Sequence, residues 1–172
     1  MISSYGRLAN VRQQNTAMKS VIECKPESII KIFTQKETLE IEKKWMKIFC
    51  KNKQGFNTRA YKWHIFSGKG FPSLEADEAH KEYESKTESE YVVMGNDGEL
   101  SILTKQRPSS CNLTDYYVFP FNMSWSMAFT HEEGWLGPYF AYHPNYNILN
   151  NENKKQIEKM HQKEIAKQNG WC

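Results

Sequence analysis

Two apolar runs, Tyr91-Val92-Val93-Met94 and Leu100-Ser101-Ile102-Leu103, flank Asn96-Asp97-Gly98, and this arrangement constrains the fold more than any other stretch. An Asp-Gly pair between β-type runs supplies the backbone angles of a tight hairpin turn. Residues 90–95 and 99–104 are therefore expected to pair as antiparallel neighbours. Downstream, Tyr116–Phe119 and Trp125–Phe129 read as two more strands on either side of Pro120-Phe121-Asn122, and Tyr139–Tyr142 as a last one. Successive strands joined by short turns favour an antiparallel sheet.

Upstream, helix and strand patterns alternate. Ile29, Ile30, Ile32 and Phe33 follow Pro26 as a short β-type run. Thr34 or Thr38 is placed to cap a helix in which Leu39, Ile41, Trp45, Ile48 and Phe49 recur at near-helical spacing. Lys36, Glu37, Glu40, Lys43, Lys44 and Lys47 give that helix a wet face. Tyr61–Phe66 is aromatic and partly alternating, which predicts a strand. A short helix is expected from Ser73, with Leu74, Ala76, Ala79 and Tyr83 as its buried stripe. From Asn150 to Gln168 no Gly or Pro interrupts the chain, and Ile157, Met160, His161 and Ile165 mark a thin apolar stripe. Residues 1–25 show no sustained period and read as a loosely ordered N-terminal extension. Residues 26–172 read as a single α+β domain: a largely antiparallel or mixed sheet with helices on one face and a C-terminal helix at about 150–168.

Composition narrows the function classes. The formal net charge is +3 with both signs interspersed, which argues against a nucleic-acid partner. No apolar run reaches membrane-spanning length. The four cysteines, at 24, 50, 111 and 172, form no CxxC pair, so no cysteine zinc site is expected. MISSYGRLANVRQQ has no charged-then-apolar export pattern. Four free thiols and a cytoplasmic location are the resulting expectation. No metal or cofactor is expected. GxxxxGK[ST] and GxSxG are absent, Gly68-Lys69-Gly70 is too short for a phosphate loop, and Cys111 reads as an incidental loop thiol.

Residues 124–140 carry the most chemistry. A strand delivers Thr130, His131 and Glu132 to its end, and Gly134, Gly137 and Pro138 then turn the chain. His131 and Glu132 form a candidate acid–base pair, because imidazole titrates near neutrality and a carboxylate tunes it. Glu133, Gly134 and Trp135 follow, so the second histidine of an HExxH zinc helix is missing. Ligating a metal would need His64 or His143 brought close. The favoured role for His131 is to fix the Gly-rich loop by hydrogen bonds. Trp135, between Gly134 and Leu136, is expected to be partly exposed and to anchor a contact. Trp63, Tyr139, Glu132 and Glu133 complete the candidate binding set, and His131, Glu132 and His64 the candidate catalytic set.

Tyr61–Ser67, Leu74–Ala79, and above all Trp125 with Thr130-His131-Glu132 and Gly134-Trp135-Leu136-Gly137-Pro138-Tyr139-Phe140, resemble the bacterial domain of unknown function numbered 4275, over about residues 28–142. The resemblance implies a small, soluble, single-domain bacterial protein of the cytoplasm and brings no established activity. The N-terminal extension and the tail after His143 depart from the family's usual compact length. The leading expectation is a non-enzymatic protein-binding domain, such as an immunity or antitoxin-like partner of a toxin. The alternatives are a small hydrolase or nuclease using His131 and Glu132, with His64 and a divalent metal, and a structural or regulatory domain.

Overall fold

The structure, a computed structural model, describes residues 21–98 and 100–171. In chain order the strands are β1 (Cys24–Lys25), β2 (Ile29–Ile32), β3 (Leu74–Glu75), β4 (Tyr91–Gly95), β5 (Ser101–Thr104), β6 (Ser110–Cys111), β7 (Tyr116–Phe119), β8 (Trp125–Phe129) and β9 (Tyr139–Tyr142). The helices are α1 (Gln35–Phe49), α2 (His64–Ser67), α3 (Ala76–Ser85) and α4 (Tyr146–Gln168). Seven strands form one sheet in the order β2-β5-β4-β7-β8-β9-β3, with every ladder antiparallel. The expected hairpin is present, Met94 facing Ser101 across a turn in which Gly98 takes a positive φ of 67°. The fold is α+β.

The helices, expected on one face, divide between two. The central strands read YVVMG, YYVF and WSMAF, and all their residues but Gly95 are buried. Successive side chains in a strand point to opposite faces, so apolar runs of this kind need cover on both. Val92, Met94, Tyr117, Phe119 and Ala128 point to one side, where Ile41, Trp45 and Phe49 of α1 and Ile65 and Phe66 of α2 meet them. Tyr91, Val93, Tyr116, Val118, Trp125 and Met127 point to the other, under Ala79 and Tyr83 of α3. Buried hydroxyls and indoles pair across the layers, as in Trp45 Nε1–H donating to Ser126 Oγ at 2.8 Å.

Helix α1 starts at Thr34, whose hydroxyl accepts from the Glu37 N–H while the Glu37 carboxylate accepts from the Thr34 N–H, a reciprocal cap. The segment expected as a strand, Tyr61–Phe66, is instead a turn leading into α2. Its buried residues are Lys62, Trp63, Ile65 and Phe66, a one-turn pattern, and its backbone donors are claimed by side chains. The Lys62 N–H donates to Asn96 Oδ1 at 3.1 Å and the Trp63 N–H to the Tyr117 hydroxyl at 2.9 Å. Satisfied in this way, the segment has no need of a neighbouring strand.

Two further expectations change. Leu74 belongs to β3, so α3 begins at Ala76 and buries only Ala79 and Tyr83. Helix α4 begins at Tyr146 and is held on the β7–β8 turn by a polar contact, with Asn122 Nδ2 donating to Asn153 Oδ1 at 2.7 Å and to the Leu149 carbonyl at 3.1 Å. Of its supposed apolar stripe Ile157 is half-buried, and Met160, His161 and Ile165 are exposed.

The cysteine expectation is overturned. Cys24 and Cys111 face each other across β1 and β6 and are joined by a disulfide. Cys50 is a buried free thiol, pushed up to about 12 by burial. The bond joins residues 87 apart, a distance over which no spacing pattern operates. Unpaired cysteines therefore no longer argue for a reducing compartment. Residues 21–25 also lose the loose character expected of them, since Ile22 and Cys24 are buried and Asn112 binds the main chain at both Val21 and Glu23. Residues 1–20 of the expected extension lie outside the described residues. Alkylating the denatured, unreduced protein is expected to label Cys50 and to leave Cys24 and Cys111 unlabelled until a dithiol is added. Reduction should lower stability by about 2–4 kcal/mol, the usual worth of such a bond. Labelling of Cys24 without reduction, read by peptide mass mapping, would refute the pairing.

Candidate functional site

Strand β8 ends at Phe129 and β9 resumes at Tyr139, so residues 130–138 cross from one to the other. Their backbone is closed on itself. The Trp135 and Leu136 N–H groups both donate to the Glu132 carbonyl, at 2.9 and 2.8 Å, and the Thr130 hydroxyl donates to the Leu136 carbonyl at 2.5 Å. Gly137 has φ of 94°, and a Cβ there would stand 3.0 Å from the Thr130 side chain, so the turn requires glycine.

Asp115 ties this loop to the core. Its Oδ1 accepts from the His131 main-chain N–H at 3.1 Å and from the Trp63 indole at 2.9 Å, and both its oxygens lie 3.0 Å from His131 Nδ1. A carboxylate only accepts, so Nδ1 carries the proton and Nε2 is left on the outer side of the ring. Glu132 Oε1 is 3.7 Å from Nε2. The Asp115 hydrogen bond raises the His131 pKa above its ordinary value of 6.5, against the smaller effect of desolvation, and the charge of Asp115 and then of Glu132 add to the rise. Tyr61 lies between two imidazoles, its ring centre 5.0 Å from His131 and 5.3 Å from His64. The structure thus sets His131 and His64 against one aromatic ring, with Glu132 beside His131. His143 lies beyond β9, with its pKa lowered by burial and its Nδ1 accepting from the Asn145 N–H.

The candidate contact residues separate. Trp135 is 87% exposed at the tip of the loop. Glu132 and Glu133 flank it, and His80 of α3 holds Glu133 at 2.7 Å. Trp63 and Tyr139, expected on the same contact surface, are each only 1% exposed. They stack 6.3 Å apart inside the core, because the Trp63 indole N–H finds its acceptor in Asp115 and leaves its ring among apolar neighbours. They support the loop from beneath.

The residue that sequence reasoning missed is Asp115. The signal was indirect: Tyr116 pairs with Phe129 across β7 and β8, so one step further Asp115 stands opposite Thr130, beside His131. Tyr61 was missed because its segment was read as a strand. Among the described residues no three His, Cys, Asp or Glu side chains are grouped to hold a metal ion. A cavity of about 680 Å³ around Cys24 and Cys111 shares no lining residue with the loop.

The family model described as "Domain of unknown function (DUF4275)" matches residues 31–140. The matched span contains α1 to α3, Asp115 and the whole 130–138 loop, and stops short of β1 and α4. No curated protein and no solved structure matches the chain.

Because the folded state holds the His131 proton more tightly than the unfolded chain, this pair contributes stability in full below about pH 6.5. The contribution is lost as pH rises through the raised value. Asp115→Asn should move the His131 midpoint down toward 6.5 in an NMR titration of the imidazole. An unchanged midpoint would show that Asp115 is not the cause of the rise.

Proposed function

The chain belongs to the DUF4275 family, and within it we propose a protein-binding role, with the 130–138 loop as the contact element. One observation carries the reading: Trp135 is almost fully exposed on a loop whose own backbone is fixed by hydrogen bonds. Presenting a large apolar ring to water is unfavourable unless something covers it, and a tryptophan on a rigid support loses little conformational freedom when covered. Glu132 and Glu133 beside it suit a partner with an apolar pocket and a basic rim. A bacterial toxin met by an immunity or antitoxin-like protein in the cytoplasm is a partner of that kind. Among the described residues no helix is long and apolar enough to cross a membrane.

A second reading, acid–base hydrolysis of an ester or phosphodiester, is favoured by the Asp115–His131 hydrogen bond, which leaves Nε2 outward beside Glu132, with His64 against the same Tyr61 ring as His131. In that reading His131 is the base, Asp115 orients it, and His64 is the candidate acid.

Trp135→Ala is expected to melt like the wild type, since its side chain is almost wholly in water. It should weaken capture of the native partner by a factor corresponding to about 2 kcal/mol or more, the usual worth of a tryptophan anchor. His131→Ala should lower the melting temperature by freeing the loop. Unaltered capture by Trp135→Ala, together with hydrolysis of a phosphodiester by the wild type that His131→Ala abolishes without unfolding, would replace the first reading by the second.

A further inference from the structure

We infer that the outward face of α1 and the turn after it form a second contact surface, one that takes an acidic, partly apolar segment of a protein. It is separate from the Trp135 loop and does not depend on it. Residues 35–53 carry six lysines against three glutamates, a formal +3. Lys36, Lys43, Lys44, Lys47, Lys51 and Lys53 are all exposed. Among the described residues none of the six lies within 4.0 Å of a carboxylate.

Two of the three acids of this stretch are engaged elsewhere. Glu37 is held by Lys31 at 2.7 Å and by the Thr34 cap, which keep its carboxyl down at about 2. Glu42 lies 3.3 Å from the ammonium of Lys62, which is buried. Glu40 is left as the exposed acid of the face. On the other side of the sheet, residues 74–90 carry seven acids against two lysines, a formal −5. The segments that roof the two faces therefore differ in sign.

Lysines near a helix C-terminus also complement the helix dipole. That accounts for Lys47 and the two lysines after it, but not for the apolar groups set among them. Leu39 is 44% exposed between Lys36 and Lys43. Lys43, Met46, Lys47, Cys50, Lys51 and Lys53, with Glu42, line an open hollow of about 470 Å³, and Met46 is half-buried in its wall. A phosphate backbone uses lysines as point charges and has nothing to lay on Leu39 or Met46. A protein segment with alternating acids and apolar side chains uses both, and an apolar centre with a charged rim is the ordinary make-up of a protein interface.

The test uses the full chain, isotope-labelled for NMR, with three probes: a peptide of Glu and Leu, a peptide of equal charge with Ser in place of Leu, and a short DNA duplex. The Glu–Leu peptide should shift amides within 36–53 and bind about fivefold or more tightly than the Glu–Ser peptide, the factor expected for one partly buried leucine. Binding should weaken as salt rises. Lys43→Glu with Lys47→Glu should weaken both peptides by about tenfold or more, as a reversed charge at a contact does. Leu39→Ser should weaken the Glu–Leu peptide alone. All three positions are exposed, so unchanged melting curves will show that the variants fold. Equal binding of the two peptides would mean that Leu39 and Met46 add nothing to the contact and would overturn the proposal. So would stronger binding of the duplex at the same residues, shifts confined to residues outside 36–53, or no binding at all.

Discussion

The rest of the structure depends on the central strands β4, β7 and β8 having no polar face. A sheet with one wet side can leave its helices together on the other. Here Val92 and Val93, or Tyr116 and Tyr117, are consecutive, apolar and buried in opposite directions. Each face must be roofed, and the chain does this with α1 and α2 on one side and α3 on the other. Roofed on both sides, the sheet presents only its edges and the ends of its strands. The turn between β8 and β9 is such an end.

Asp115 then does for that end what hydrophobic packing does for the middle. It stands just before β7 and collects three donors from two separated parts of the chain: the Trp63 indole, and the His131 main chain and ring. A buried carboxylate with good donors strengthens all of them, because the low polarity around it magnifies each contact. The same economy is seen at Asn96, whose side-chain oxygen accepts from Lys62 and from the Tyr117 hydroxyl while its amide donates to Ala60. Asn96 and the Tyr117 hydroxyl between them replace the strand ladder that residues 60–63 lack. That segment in turn supplies Tyr61, against which both histidines rest.

The sequence carries local information well and distant information poorly, and particular residues show where the line falls. Asp97-Gly98 sets its hairpin because everything it needs lies within ten residues. The strand character of β7 to β9, the amphipathic spacing of α1 and the exposure of Trp135 are legible for the same reason. Tyr61–Phe66 misleads because its aromatic alternation is real, but the partners that bend it into a turn come from residues 96 and 117. The sharing of helices between two faces is visible in hindsight in the unbroken apolar runs of the central strands. Asp115 and the Cys24–Cys111 pair depend on which strands become neighbours, and α4 is held by Asn153, a residue type that apolar periodicity does not register. The opposite charge of the two faces is legible in the counts for residues 35–53 and 74–90, once the structure has shown that these segments lie on opposite sides of the sheet.

The disulfide has a mechanical consequence. Residues 24–111 form a covalent ring that contains β2 to β5 and α1 to α3, while β7, β8, β9 and α4 lie on the open arm beyond it. A force applied at the two ends of the chain passes through the sulfur bridge and bypasses the ring. The load falls on the arm, and the seam it reaches is β7 against β4, in the middle of the sheet, together with β9 against β3 at the edge. Pulled in this way, the molecule gives up the Trp135 loop and its strands while the lysine-bearing helix stays within a ring that tension does not extend. Once the bridge is reduced, the same pull reaches every element in turn.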